Sequence, residues 1–179
     1  VPRRMMAEAR RRGMTVYAQI KPFIPPGVRP TDQPVYPNGT VPVPPQVAMI
    51  GSPCSPAIHA YGLALVRDTV RAFPEVEGLF LDWAEYGAYG FEDLFTCLGS
   101  HSARAARSLG LDWDLLAARV RALWERLHRL HDDDLRPAET ALFRLIDEAP
   151  GWAEFLQFKA TTITTFYRDV RRVLDDMGR

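Results

Sequence analysis

Carboxylates interleaved with aromatic rings crowd one short stretch, Asp82-Trp83-Ala84-Glu85-Tyr86, with Tyr89 three residues on. Acid–base work at a glycosidic bond takes two carboxyl groups, about 5 to 9.5 Å apart depending on stereochemical outcome. Flat rings cover the apolar face of a pyranose while their polar edges hydrogen-bond. Asp82 and Glu85 are therefore the candidate catalytic carboxylates, and Trp83, Tyr86 and Tyr89 the candidate sugar-contacting rings. Gln19, Lys21 and Phe23, which follow an apolar run earlier in the chain, are candidate substrate-binding residues. Lys21 either orients substrate or balances Asp82, and its ordinary alternative is a loop lysine facing water. For Asp82 the ordinary alternative is a buried carboxylate capping loop backbone, and for Glu85 a solvated loop acid. From Ala72 to Ala103 there is no Lys or Arg, yet Glu75, Glu77, Asp82, Glu85, Glu92 and Asp93 all fall there. The missing cations disfavour phosphorylated or carboxylated substrates, which usually recruit Arg or a glycine-rich cradle.

These residues need elements to bring them together. Met5, Met6 and Ala9 make an apolar stripe on a helix over 3–12, with Gly13 as its C-cap. Met14–Ile20 is short, β-branched and apolar, the pattern of a buried strand. Eleven of the fifteen prolines then lie between Pro22 and Pro56, which predicts one long irregular loop, ordered by Phe23 and Tyr36. Ser55-Pro56 starts a helix whose stripe runs from Ile58 to Phe73 and stops at Pro74. Leu79–Leu81 is a second buried strand that ends on Asp82. Helix, strand, helix, strand implies parallel strands joined by helical crossovers. Parallel α/β proteins bind ligands beyond the carboxyl ends of their strands, and both candidate groups converge there.

Residues 92–150 read as a helical insertion, with Trp113 to Leu130 on one amphipathic helix and Pro137–Glu148 on a shorter one. A long final helix runs from Trp152 to Met177. Two strands cannot cover so many helix faces. The expected fold is α/β, a partial (β/α)8 TIM barrel with two parallel strands, crossover helices and that insertion. The 179 residues would be a fragment of one such domain, since a full barrel typically needs about 250. Residues 1–91 and 151–179 would form the barrel core. The alternative is a two-stranded, mostly helical domain, which leaves strand edges unpaired.

Composition removes several function classes. Lys and Arg total 22 and Asp and Glu total 22, so bulk electrostatics do not point to nucleic acid or acidic membranes. No apolar run approaches about 18 residues, so no membrane span is expected. No apolar stretch follows Val1-Pro2-Arg3-Arg4, so no secretory leader pattern is visible, and localisation stays open. Cys97 and His101, four apart, could share a helix face as ligands, but two ligands are too few for structural zinc. His128, His131 and Asp132–Asp134 read as a solvated helix end. Neither metal nor cofactor is expected. A bridge between Cys54 and Cys97 is left open.

Gly78-Leu-Phe-Leu-Asp-Trp-Ala-Glu-Tyr86, preceded by Ser52-Pro-Cys-Ser-Pro-Ala-Ile58 and by Phe73-Pro-Glu-Val76, resembles the uncharacterised glycoside-hydrolase-like barrel proteins. Arg12-Gly-Met-Thr-Val-Tyr-Ala18 is similar to their passage from helix to third strand. The resemblance covers residues 3–90 and 151–178 and makes the two strands the third and fourth of a barrel. It implies that Asp82, ending strand four, is a nucleophile or an acid/base, with its partner carboxylate on a later strand. Such proteins often carry a cysteine cluster after strand four, whereas only Cys97 stands here. The implied function is hydrolysis of glycosidic bonds in an oligosaccharide or polysaccharide. The alternatives are a non-catalytic carbohydrate-binding or scaffolding barrel, and a helical module in which 92–150 docks a partner. Oligomeric state stays open.

Overall fold

The structure, a computed structural model, describes residues 2–42, 50–87, 90–130 and 144–179. Helix α1 (Pro2–Arg11) is followed by Gly13 at φ 75°, the left-handed conformation that closes a helix. Strand β1 is Tyr17–Ile20, helix α2 is Pro56–Ala72 and strand β2 is Gly78–Leu81. The strands pair in parallel, Tyr17 opposite Gly78 and Ile20 opposite Leu81, with α2 as the crossover. The fold is therefore a mixed α/β one. Strand β1 starts three residues later than the sequence predicts, although the Glu77 N–H still donates to the Val16 carbonyl at 2.8 Å. Upstream of it, the Val16 N–H is taken by the Glu77 carboxylate at 3.0 Å.

Ser55 starts α2 in the expected manner, its Oγ accepting from the N–H groups of Ala57 and Ile58. Among its described residues the proline-rich loop carries one 3-10 turn, Pro30–Asp32, and it is anchored by the fully buried Phe23. Beyond β2, a 3-10 turn at Phe91–Phe95 leads to helix α3 (Ser100–Ser108), helix α4 (Trp113–Leu127) and helix α5 (Trp152–Asp176). The sequence pattern does not single out α3, because only Ser102 and Ala106 of it are buried. Of the predicted helix Pro137–Glu148, residues 144–147 are helical and 137–143 lie outside the described residues. His131 and Asp132–Asp134 lie outside them as well. His128 stacks on Trp124, ring centroids 4.1 Å apart, at the end of α4.

Two apolar cores meet on α5. The first joins Phe95, Leu98 and the inner face of α4 to Trp152, Phe155 and Phe158. The second joins Ile20, Phe23, Ile58 and Val66 to Phe166, Val170 and Val173. Pairing of α5 with α2 is tight: a Cβ at Gly62 would come within 2.9 Å of the Phe166 ring. The His59 ring meets Phe166 edge-on at 5.2 Å, and its Nε2 lies 3.0 Å from Asp169.

The strands bury one face only. Alternation along them directs Ile20, Leu79 and Leu81 into the second core. Tyr17 and Phe80, on the opposite face, are 64% and 59% exposed. A Cβ at Gly78 would lie 2.4 Å from the Tyr17 ring, so glycine is what lets that ring lie across the pair. Among the described residues, no helix is long and apolar enough to cross a membrane.

Candidate functional site

The carboxyl end of the strand pair gathers most of the polar residues singled out above. The Asp82 N–H donates to the Ile20 carbonyl at 2.8 Å, which continues the ladder by one residue. Strand alternation then sets Asp82 on the open face shared with Gln19 and Phe80. Gln19 Nε2 donates to Asp82 Oδ2 at 2.6 Å, and Lys21 Nζ stands 3.7 Å from the same oxygen. The Lys21 and Asp82 side chains keep 41% and 21% of their surface, so both remain open to a ligand.

Lys21 Nζ also lies 4.6 Å from the centroid of the Trp83 ring, a cation–π distance. Trp83 adopts φ 58°, the left-handed region that side chains other than glycine rarely occupy. Such conformations persist where surrounding contacts hold them, and they cluster at binding sites. Here the turn swings the indole beside Lys21. One carboxylate, one amide, one ammonium and one indole thus converge at the end of two strands, a set suited to hydroxyl-rich ligands.

Other candidates are placed differently. Phe23 is fully buried, its ring centroid 4.6 Å from that of Phe166, so it packs the core beneath the strands rather than facing a substrate. Its apolar surface is worth more against α5 than in water. Glu85 is exposed. Tyr86 turns toward α5: its hydroxyl is 3.4 Å from Cys54 Sγ, and one ring face lies 4.5 Å from Lys159 Nζ. Burial pushes the Tyr86 hydroxyl well above the ordinary tyrosine range. Tyr89 lies outside the described residues.

Lys159 is a functional-type residue the sequence reading passed over. It is 9% exposed and donates to the Leu94 carbonyl at 2.9 Å. Burial pushes its ammonium down to about 8, with Cys97, Asp93 and Cys54 pulling the other way. A signal existed: Lys159 continues the stripe Trp152, Phe155 at helical spacing, where an apolar residue is expected. The two cysteines are free thiols, which settles the bridge left open above. Cys97 Sγ donates to Ser52 Oγ at 3.2 Å, and burial pushes the Cys97 thiol up to about 11.

A second polar cluster forms around Asp32, which is 2% exposed. Arg29 Nε contacts its Oδ2 at 2.5 Å, Ser55 Oγ donates to its Oδ1 at 2.6 Å, and His101 Nε2 lies 3.2 Å from Oδ1. The Arg29 hydrogen bond first, and that of Ser55 second, hold the carboxyl below its ordinary range. Cys97 and His101 do not share a helix face, because α3 begins only at Ser100 and His101 is committed to Asp32. Among the described residues no three His, Cys, Asp or Glu side chains group as metal ligands.

Neither protein-family models, curated proteins nor solved structures yield a match to this chain.

Proposed function

We propose that the carboxyl end of the strand pair binds a carbohydrate and that Asp82 is a catalytic carboxylate in hydrolysis of a glycosidic bond. The observation that carries this reading is the grip of Gln19 and Lys21 on one oxygen of Asp82, at 2.6 and 3.7 Å. An amide and an ammonium held this way present hydroxyl-directed donors around a carboxylate, with the Trp83 ring alongside for the apolar face of a sugar. The strands would be the third and fourth of a (β/α)8 barrel. Their parallel pairing through α2 supports that placement. So do the exposed Tyr17 and Phe80, whose face would line the barrel lumen.

Glu85 stands exposed, which favours a second reading in which this face holds a glycan without cleaving it. One experiment separates the two. Turnover of a panel of aryl glycosides is compared between the native protein and Asp82→Asn, with glycan binding followed by titration. Loss of turnover with binding retained supports hydrolysis. Binding without turnover in either protein supports the second reading, and absence of both removes the carbohydrate site.

A further inference from the structure

We propose that Cys54 and Cys97 form a peroxide-reactive dithiol, in which a hydroperoxide converts the two free thiols into a reversible disulfide. Four separate parts of the chain bring them together. The turn Ser52–Ser55 is closed by the Ser55 N–H donating to the Ser52 carbonyl at 2.9 Å. Cys97 Sγ reaches into that turn and donates to Ser52 Oγ at 3.2 Å, beside Cys54 in the same turn. Cys54 Sγ lies 3.4 Å from the Tyr86 hydroxyl and 3.9 Å from Thr162 Oγ1. Lys159, one turn before Thr162 on α5, sets its ammonium 4.5 Å from the centre of the Tyr86 ring. Both thiols act electrostatically on Tyr86 and on Lys159, and Cys54 acts on Cys97.

A buried cysteine ordinarily serves as a small apolar side chain. Two features depart from that role here. Cys54 is only half-buried, whereas Cys97 is 2% exposed, so an oxidant from solvent meets Cys54 first. An ammonium also stands beside the pair, in surroundings too dry to screen it. A neighbouring lysine favours the thiolate, which is the form that attacks a peroxide. An accessible thiol backed by a second, resolving thiol is the arrangement that makes cysteine oxidation reversible.

The chemistry balances with the peroxide as sole co-reactant. The Cys54 sulfur attacks one peroxide oxygen, the O–O bond breaks, and the departing hydroxide leaves as water with the thiol's proton. Cys54 is then a sulfenic acid. The Cys97 sulfur attacks that of Cys54: an S–S bond forms, the S–O bond breaks, and a second water leaves with the Cys97 proton. Two thiols are oxidised by two electrons, and hydrogen peroxide is reduced to two waters. Burial first, and Cys54 second, hold the Cys97 thiol up at about 11. The first step removes the Cys54 thiolate from that balance, while Ser52 and Lys159 still favour a Cys97 thiolate. Oxidation of Cys54 thus prepares Cys97 to resolve it. The bridge also takes Cys54 Sγ from the Tyr86 hydroxyl, so thiol state reaches the stretch that carries Asp82.

The test is treatment of the reduced full chain with stoichiometric hydrogen peroxide, followed by alkylation of the remaining thiols and peptide mass spectrometry. A linked pair of peptides containing Cys54 and Cys97 is expected, lighter by two hydrogens and separated again by dithiothreitol. The same reaction is run in urea that unfolds the chain, and the folded protein is expected to form the bridge about tenfold faster. Cys97→Ser is expected to stop at the Cys54 sulfenic acid, captured by dimedone. The proposal is overturned by absence of the linked pair, by copies cross-linked through Cys54 alone, or by bridging as fast in urea as in the folded chain. A folded Cys97→Ser protein that dimedone leaves unlabelled overturns it as well. The urea comparison uses the native sequence, so it decides the matter whatever a variant does to folding. None of these outcomes depends on Asp82, so they leave the carbohydrate reading untouched.

Discussion

The ammonium of Lys159 lies 4.5 Å from the centre of the Tyr86 ring and is held there by the Leu94 carbonyl at 2.9 Å. An aromatic face and one carbonyl replace only part of the hydration a lysine loses, which is why burial pushes it down to about 8.

The consequence is a pH-dependent stability. Below pH 8 folded and unfolded chains both carry the charge, and burial penalises folding. Between about 8 and the ordinary 10.5 only the unfolded chain stays protonated, so stability rises with pH there. Cys97 opposes this above its ordinary 9.0, because its folded thiol holds a proton up to about 11. Stability is therefore expected to rise by about 1 kcal/mol between about pH 8 and 9, then flatten. Urea midpoints across this range check it, and Lys159→Met should remove the rise. A native protein whose midpoint falls from pH 8 to 9 would contradict this account.

Ser55 joins two duties: its Oγ accepts from the first turn of α2 and donates to Asp32 at 2.6 Å. Ser55→Ala is expected to cost about 2 kcal/mol, an N-cap and a hydrogen bond to a charged group together. The same change should alter the acid limb. Asp32 is held below its ordinary range, so it adds stability above that range, and the contribution disappears as pH falls through its lowered value. Without Ser55 the loss should begin at higher pH, read from acid titrations followed by circular dichroism. Superimposable acid limbs would count against the assignment.

Burial divides two phenylalanines sharply. Phe166 is 1% exposed and packs on Phe23 and His59, whereas Phe80 is 59% exposed on the open strand face. Phe166→Ala is expected to cost about 3–5 kcal/mol. Phe80→Ser should stay within about 0.5 kcal/mol, because its ring already stands in water. A large loss at Phe80 would instead show that something covers that face.

The strands, α2, α4 and α5 were legible because each carries its period in large apolar residues, and Ser55-Pro56 and Gly13 mark their ends. Asp82 was legible because a strand ends on it. The Asp32–His101 pair was not, since its members stand 69 positions apart and neither sits in a periodic pattern. Asp32 lies among prolines, and α3 offers only Ser102 and Ala106 to a core. Phe23 misled for a related reason: position after a strand says which end a residue reaches, whereas burial depends on the distant Phe166.

Helix α5 belongs to both cores at once. Its first half carries Trp152, Phe155 and Phe158, and its second half Phe166, Val170 and Val173. At 1.5 Å per residue it is a rod of about 37 Å, joined in the middle by threonines. Thr161, Thr162 and Thr165 each return a hydroxyl hydrogen bond to the carbonyl one turn back. Loss of either core strips half of this rod of its packing, and the continuous helix passes that loss to the other half. The chain should therefore melt in one transition, and a protease nick among those threonines should turn it into two.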